Sequence, residues 1–480
     1  MVHVMSIYQD IRVNFMKMPY YPYLFQNSDA GILEASIIIY SNEMDHKRRY
    51  LLANQCFQYL QDSIELNKPT KELAELLESV ALLNYAKEFM EIVRFNISKE
   101  EDLLKIYVKV GKTLATMVTH KELVKLGILL LGLEENDDNH EIIMTLGYHS
   151  EYTAYAIEAY RYSLYRNDYA MELLGKTSNY GRICALSSYV VMDSDTAIYL
   201  MEHSFNDRLP CYAAYVILDK IVCEEYFEKV VLTKYNYSKY SYLLSYALID
   251  RSLKEFPYVL PLLKKFIASA DGLANSFIDY CAILVIYESL ANGGFEDERE
   301  KLMEMCSAML QKEEFKALTL EALDSFNGKK ELLIQACMYL NLEIPEDSVL
   351  KLFMEACVAV TDYMFTHFSG RYTDLAREKL LPMVMPKIMG NGWRNKVELN
   401  REEYFLMALL KTTSGYCQDV LVATLNADNR VLREKGIETL LQMEVIPDTM
   451  WDIVEECISR EVDSSLKRKL KKVMKSKKVE

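Results

Sequence analysis

Apolar residues recur at helical spacing along most of this 480-residue chain, and the breaks between the recurring stretches are short. In 71–95, Leu73, Leu76, Leu77, Val80 and Leu83 fall at i, i+3, i+4, i+7 and i+10. In 259–270 the positions are Val259, Leu262, Leu263, Phe266, Ile267 and Ala270, and in 431–441 they are Val431, Ile437, Leu440 and Leu441. Such a period puts one apolar stripe on each helix, to be buried against a neighbour. Sharp turns are scarce. The chain has 16 glycines and 10 prolines, well under the usual ~7% and ~5% of residues. Sandwiches and propellers need more of both. A charged fraction of 26% beside 51% hydrophobic residues excludes a disordered chain. What remains is an all-α protein of roughly twenty to twenty-five short helices.

Start signals recur where the apolar period resumes. Asn67-Lys68-Pro69-Thr70, Ile344-Pro345-Glu346-Asp347 and Ile446-Pro447-Asp448 each combine a proline with polar or acidic neighbours. That combination suits a helix N-terminus, where free N–H groups and the dipole favour negative charge. Many short amphipathic helices with short links predict helical hairpins stacked in series. Weak internal similarity agrees. Thr177-Ser178-Asn179-Tyr180-Gly181 recurs as Thr413-Ser414-Gly415-Tyr416-Cys417, and each copy leads to an apolar helix and an Asp-rich turn, Asp193-Ser194-Asp195 or Asp428-Asn429-Arg430. Asp207-Arg208-Leu209-Pro210 follows about one unit after Tyr180. Units of about 28–40 residues are the size of two-helix repeats.

These residues resemble HEAT-type repeats. The segment from Asp428 to Leu441, with Arg433 and Gly436 inside it, looks like the second helix of such a repeat. The stretch from about Leu123 to Leu218 looks like uncharacterised bacterial HEAT-like proteins, through Leu146-Gly147-Tyr148-His149-Ser150-Glu151-Tyr152-Thr153-Ala154-Tyr155 and Tyr180-Gly181-Arg182. The resemblance covers about a third of the chain and implies a fold, an α-α superhelix of HEAT/armadillo type, rather than an activity. Cys417 departs from the glycine of the first copy. Residues 1–27, aromatic and without helical period, read as an arm packed on or capping the first repeat. Residues 28–385 read as the array, 386–400 as a loop or hinge carrying Gly390, Gly392 and Trp393, and 401–480 as C-terminal repeats with a basic tail.

The net charge of −15 is divided unevenly. Residues 464–480 hold eight basic groups and one acid, leaving 47 basic against 69 acidic groups elsewhere. An acidic body repels phosphate backbones, so nucleic acid is an expected partner only through the tail, if at all. That tail also reads as a last amphipathic helix, with Leu466, Leu470, Val473 and Met474 on one face. No stretch reaches the ~18 apolar residues of a membrane span. The start lacks the basic and apolar regions of a secretory leader, so the chain reads as cytoplasmic. Ten scattered cysteines without Cys-x-x-Cys read as buried free thiols.

Catalytic and cofactor signatures are missing. There is no phosphate-binding glycine loop and no nucleophile elbow. No two of the seven histidines lie four apart. Glu134-Glu135-Asn136-Asp137-Asp138-Asn139-His140-Glu141 lacks the central glycine of a calcium loop and reads as a solvated turn with an N-cap. Paired acids such as Glu402-Glu403 point about 100° apart on a helix and do not converge. No cofactor and no metal is expected. The one excess is tyrosine: 19 of 35 lie between Tyr148 and Tyr258. Tyrosine offers rigid contact area with a polar tip. The chain therefore reads as a non-enzymatic scaffold that binds a protein or peptide on a concave repeat surface. Tyr152, Tyr155, Tyr162, Tyr165, Tyr180, Arg182, Tyr212 and Tyr215 are the candidate contact residues, and inter-repeat packing is the competing role for them. The alternative is a HEAT-like nucleic-acid-binding protein or an enzyme resembling the DNA glycosylases built on such repeats.

Overall fold

The structure, a computed structural model, describes residues 5–17, 26–40, 44–205, 211–249, 251–326, 329–368, 370–388, 399–413 and 417–476. Among them there are helices and no strand. None of these helices is long and apolar enough to cross a membrane. The helix starts follow the predicted signals. The Thr70 hydroxyl accepts from the Leu73 N–H, Pro345 precedes Glu346–Glu355, and Asp448 precedes Thr449–Arg460. At 134–141 the cap is Asn136, whose side chain accepts from the Asn139 N–H. At the two Asp-rich turns the caps are Asp193 and Asn429. The period read across 71–95 is broken at Val80 and resumes in Ala86–Ile97, so it belongs to two helices.

The chain divides into two compact units, residues 1–310 and 311–480. In the first unit Lys121–Leu131, Ser150–Ala159, Asn179–Ser188, Cys211–Lys220, Tyr237–Leu248 and Phe277–Ala291 form one series, each packed on the next. Ser194–His203, Glu224–Glu228, Leu260–Leu273 and Arg299–Leu310 form a second series of the same kind. Phe277–Ala291 is buried on nearly every side, because it has neighbours in both series. An extensive helix pairing joins Asp102–Met117 to Lys121–Leu131. A Cβ on Gly127 would lie 2.5 Å from the Ala115 backbone nitrogen, so only glycine permits that approach.

In the second unit Arg401–Thr413 packs against Cys357–Asp362, Leu381–Ile388 and Gln418–Leu425. The basic tail is a helix, Ser464–Ser476, that buries Leu466, Leu470 and Val473. It packs on Arg430–Gln442 and Thr449–Arg460. Lys469 lies 2.8 Å from Glu434 and 3.4 Å from Glu438. Residues 477–480, most of the expected 386–400 hinge, residues 414–416 of the second repeat copy and 206–210 lie outside the described residues.

Candidate functional site

The N-terminal region is the point from which the first unit's surfaces are best understood. Residues 1–27 read as lacking a helical period, yet Ile7–Lys17 is a helix that buries Tyr8 and Ile11 and packs on Asp102–Met117 and Asp137–Gly147. The chain then reaches Gln26, whose side chain donates to the hydroxyls of Ser150 at 2.9 Å and Ser178 at 2.8 Å. The same side chain accepts from the Ser150 N–H at 2.8 Å. Gly31 follows with a left-handed φ of 82° and opens the helix Ile32–Ile39. A side chain at Gly31 would meet the Ser150 carbonyl oxygen at 2.4 Å. Ile32–Ile39 lies on Ser150–Ala159 and Asn179–Ser188, above a core of Ala35, Ala154, Ile183, Cys184 and Ala213.

That helix carries Glu34 into the interior. Lys125, 1% exposed, places its ammonium 2.8 Å from Glu34, 3.0 Å from Glu122 and 2.7 Å from Glu151. It also lies 5.4 Å from the Tyr155 ring centroid. Burial alone would lower the Lys125 pKa; Tyr155 and the three carboxylates outweigh it and raise the pKa. Burial raises the Glu34 pKa, only partly offset by Lys125. Glu151 is also penalised by burial, but Lys125 and the half-exposed Lys121, 3.4 Å away, bring it below the ordinary carboxylate value. One ammonium among three carboxylates from separate segments ties the N-terminal helix to the first series. Next to it, burial pulls His149 down to about 4, and its ring caps the following helix by accepting from the Glu151 N–H.

The structure separates the candidate tyrosines. Tyr152 and Tyr155 are core residues, 3% and 0% exposed. Tyr180 and Tyr212 are half-buried around the core under the N-terminal helix. Arg182 donates to the His203 carbonyl at 3.1 Å. Tyr215 stands against Phe256 and under Arg251, 4.5 Å from its ring centroid. Tyr162 and Tyr165 are both 57% exposed and belong to the loop after Ser150–Ala159.

That loop is one of a set. The loop after Asn179–Ser188 is bonded to the elements on either side of it: Asn167, in the first turn of Arg166–Lys176, and Val190 exchange two hydrogen bonds, of 2.9 and 3.0 Å. The Tyr226 hydroxyl donates to the Met192 carbonyl at 3.0 Å. Along these loops Tyr162, Leu164, Tyr165, Val190, Met192 and Val222 are all exposed, Leu164 almost completely. The loops before those helices, at Ser150 and Ser178, are instead the ones held by Gln26.

Sequence reasoning named Tyr162 and Tyr165 but not Leu164, Val190, Met192 or Val222. The signal for these was an apolar residue inside a link, where the period had already stopped. It also missed Lys125, the one charge in the stretch 123–131 of the helix Lys121–Leu131, and Glu34, the one charge in Ile32–Ile39.

The nine described cysteines form no disulfide, and seven of them are buried. Burial pushes the Cys56, Cys306 and Cys337 thiols up to about 12, so they have little nucleophilic character. Among the described residues no group of three or more His, Cys, Asp or Glu side chains is arranged to hold a metal ion. No family model matches the chain, and comparisons with curated proteins and with solved structures found no match.

Proposed function

We propose that this chain is a non-enzymatic scaffold of HEAT/armadillo-type hairpins, stacked as an α-α superhelix, that captures a protein or peptide partner. The observation that carries this reading is the row of exposed apolar side chains on consecutive loops, Tyr162, Leu164, Tyr165, Val190, Met192 and Val222. Single exposed apolar residues are ordinary on any protein surface, whereas a contiguous apolar patch marks a contact surface. The two packed helix series support the repeat reading, since successive helices of each series pack on one another. The inner-face site expected at Tyr152 and Tyr155 is less well supported, because those side chains are buried and the N-terminal helix lies over their helix.

The test is capture from native extract on immobilised protein. Tyr162→Ala/Tyr165→Ala and Val190→Asp/Met192→Asp should each abolish capture of the same protein. Unfolding free energy should change by no more than about 0.5 kcal/mol, as for exposed sites. Capture indifferent to both variants would overturn the reading. The nucleic-acid alternative has weaker support. Arg161 beside the row is held by Glu158 at 2.5 and 2.6 Å, and the C-terminal cation Lys469 is paired to acids. Gel shifts that survive moderate salt and vanish on Lys471→Gln/Lys472→Gln/Lys475→Gln would restore it.

A further inference from the structure

A cavity of about 390 Å³ opens between the loop 132–137 and the side chains of His140, Tyr160 and Tyr169. Three aromatic rings form one wall. The ring centroids of Tyr160 and Tyr169 are 4.2 Å apart, those of His140 and Tyr169 4.7 Å, and those of His140 and Tyr160 5.8 Å. The wall is fixed from behind. Tyr160 is 2% exposed, and its hydroxyl is 2.8 Å from His140 Nδ1. The facing loop carries Glu134 and Glu135, Asp137 opens the next helix, and among the described residues no lysine or arginine lines the cavity. It is also held in place: the buried Asn139 donates to the Glu134 carbonyl at 2.9 Å, and Asn136 donates to the Glu134 carboxylate at 3.2 Å. Glu135 is exposed and has no ion-pair partner among the described residues.

We propose that this cavity receives the guanidinium of an arginine side chain from the protein partner, the Tyr169 face on one side and the Glu134–Asp137 carboxylates on the other. The proposal rests on the scaffold reading above and names the chemistry of its partner. Ring faces attract cations, most strongly where water is displaced. A cleft lined by one sign of charge concentrates the opposite one. Arginine suits both walls, because its planar fork stacks on rings and bridges carboxylates. The chain makes a related contact beside the cavity: Arg94 lies 4.9 Å from the Tyr162 ring centroid and donates to the carbonyl of Gly132, a lining residue, at 3.4 Å. The cavity is continuous with the apolar row. The Tyr165 ring lies 6.2 Å from Tyr169, next to the exposed Leu164. The partner segment therefore carries an apolar residue within one or two positions of its arginine.

The experiment uses the full chain and two probes, acetyl-Leu-Arg-Leu-amide and its counterpart with citrulline, which keeps the shape and loses the charge. Calorimetric titration should give at least fivefold tighter binding of the arginine peptide, weakening as salt rises from about 0.05 to 0.5 M. Glu135→Gln lies on an exposed loop and keeps the fold; together with Tyr169→Ala it should weaken the arginine peptide at least fivefold and leave the citrulline peptide unchanged. Equal affinity for the two peptides, or wild-type affinity in both variants, overturns the proposal. Partner capture separates the two readings. Capture that depends on Val190 and Met192 but is indifferent to Glu135→Gln and Tyr169→Ala sinks the arginine pocket alone. Arginine-selective binding without any captured protein keeps the pocket and sinks the scaffold.

Discussion

Among the described residues each unit buries one cation almost completely, and the two are satisfied in opposite ways. Arg433 in the second unit is 1% exposed and meets the Glu461 carboxylate through Nε at 2.9 Å and Nη2 at 3.3 Å. Its remaining nitrogen donates to the Ala427 carbonyl at 3.0 Å and the Asp428 carbonyl at 2.6 Å. Charge is balanced one to one, and the backbone partners lie five and six residues away. Lys125 in the first unit meets three carboxylates, one of them 91 residues distant. The planar fork locks a local turn between two helices. The point charge of lysine collects acids from segments far apart in the chain, at the cost of crowding like charges together. A matched pair holds a hairpin; an unmatched cluster holds a separate piece of chain in place.

Substitutions can sharpen or break that contrast. The largest loss is expected for Lys125→Met, about 5 kcal/mol at pH 7, because three carboxylates lose the cation they share in a nearly dry site and only Glu122 and Glu151 keep another, the exposed Lys121. Adding Glu34→Gln, or lowering the pH so that carboxylates take up protons, should recover part of it. Denaturant unfolding at two pH values checks both. Arg433→Met should cost less, about 3 kcal/mol, since it strands one carboxylate, and Arg433→Met/Glu461→Met should return most of that loss. If the two single variants cost the same and neither is rescued, the contrast is wrong.

Gln26→Ala should cost about 1 kcal/mol, a net hydrogen-bond loss in a half-buried site. It should raise hydrogen exchange in Ile32–Ile39 while leaving Arg401–Thr413 untouched. The smallest effects are slopes of opposite sign within the Lys125 cluster. Glu34 has a raised pKa in the folded chain, so its contribution is full below about 4.5 and is lost as pH rises through the folded value. Wild type should therefore lose stability relative to Glu34→Gln with rising pH. Glu151 has a lowered pKa. Its contribution is present above about 4.5 and is lost as pH falls, so wild type should lose stability relative to Glu151→Gln in acid. Parallel slopes would mean that the two carboxylates do not share Lys125 as described.

What the sequence shows of this molecule depends on the distance over which each feature is determined. Thr70, Pro345 and Asp448 mark helix starts within one turn, and all three are legible. The cationic tail helix is equally local, since Leu466, Leu470 and Val473 carry their own period. Tyr152 and Tyr155 cannot be told from Tyr162 and Tyr165 in the same way, because tyrosine suits core and surface alike. What separates them is that the first two lie within a helix, crossed by Ile32–Ile39, and the others lie in the link after it. The acids at 134–137 read as a capped, solvated turn, and the cap is there. The cavity beside them needs Tyr160 and Tyr169, brought near by the next hairpin. The division at 310/311 falls at Gln311-Lys312, a break no longer than a dozen others.

Glu34 leaves the ribosome 91 residues before the lysine that neutralises it, and still longer before Cys184, on which its helix also rests. At ordinary rates of synthesis of about 5–20 residues per second, the apolar octapeptide Ile32–Ile39 waits roughly ten to thirty seconds without its docking surface. During that interval it is an eight-residue run with one charge, the kind of segment that nascent-chain chaperones hold and that neighbouring chains on a polysome can capture. The single acid that later becomes buried is, until then, the only charge in the run and, with the Ser36 hydroxyl, what its side chains offer to water.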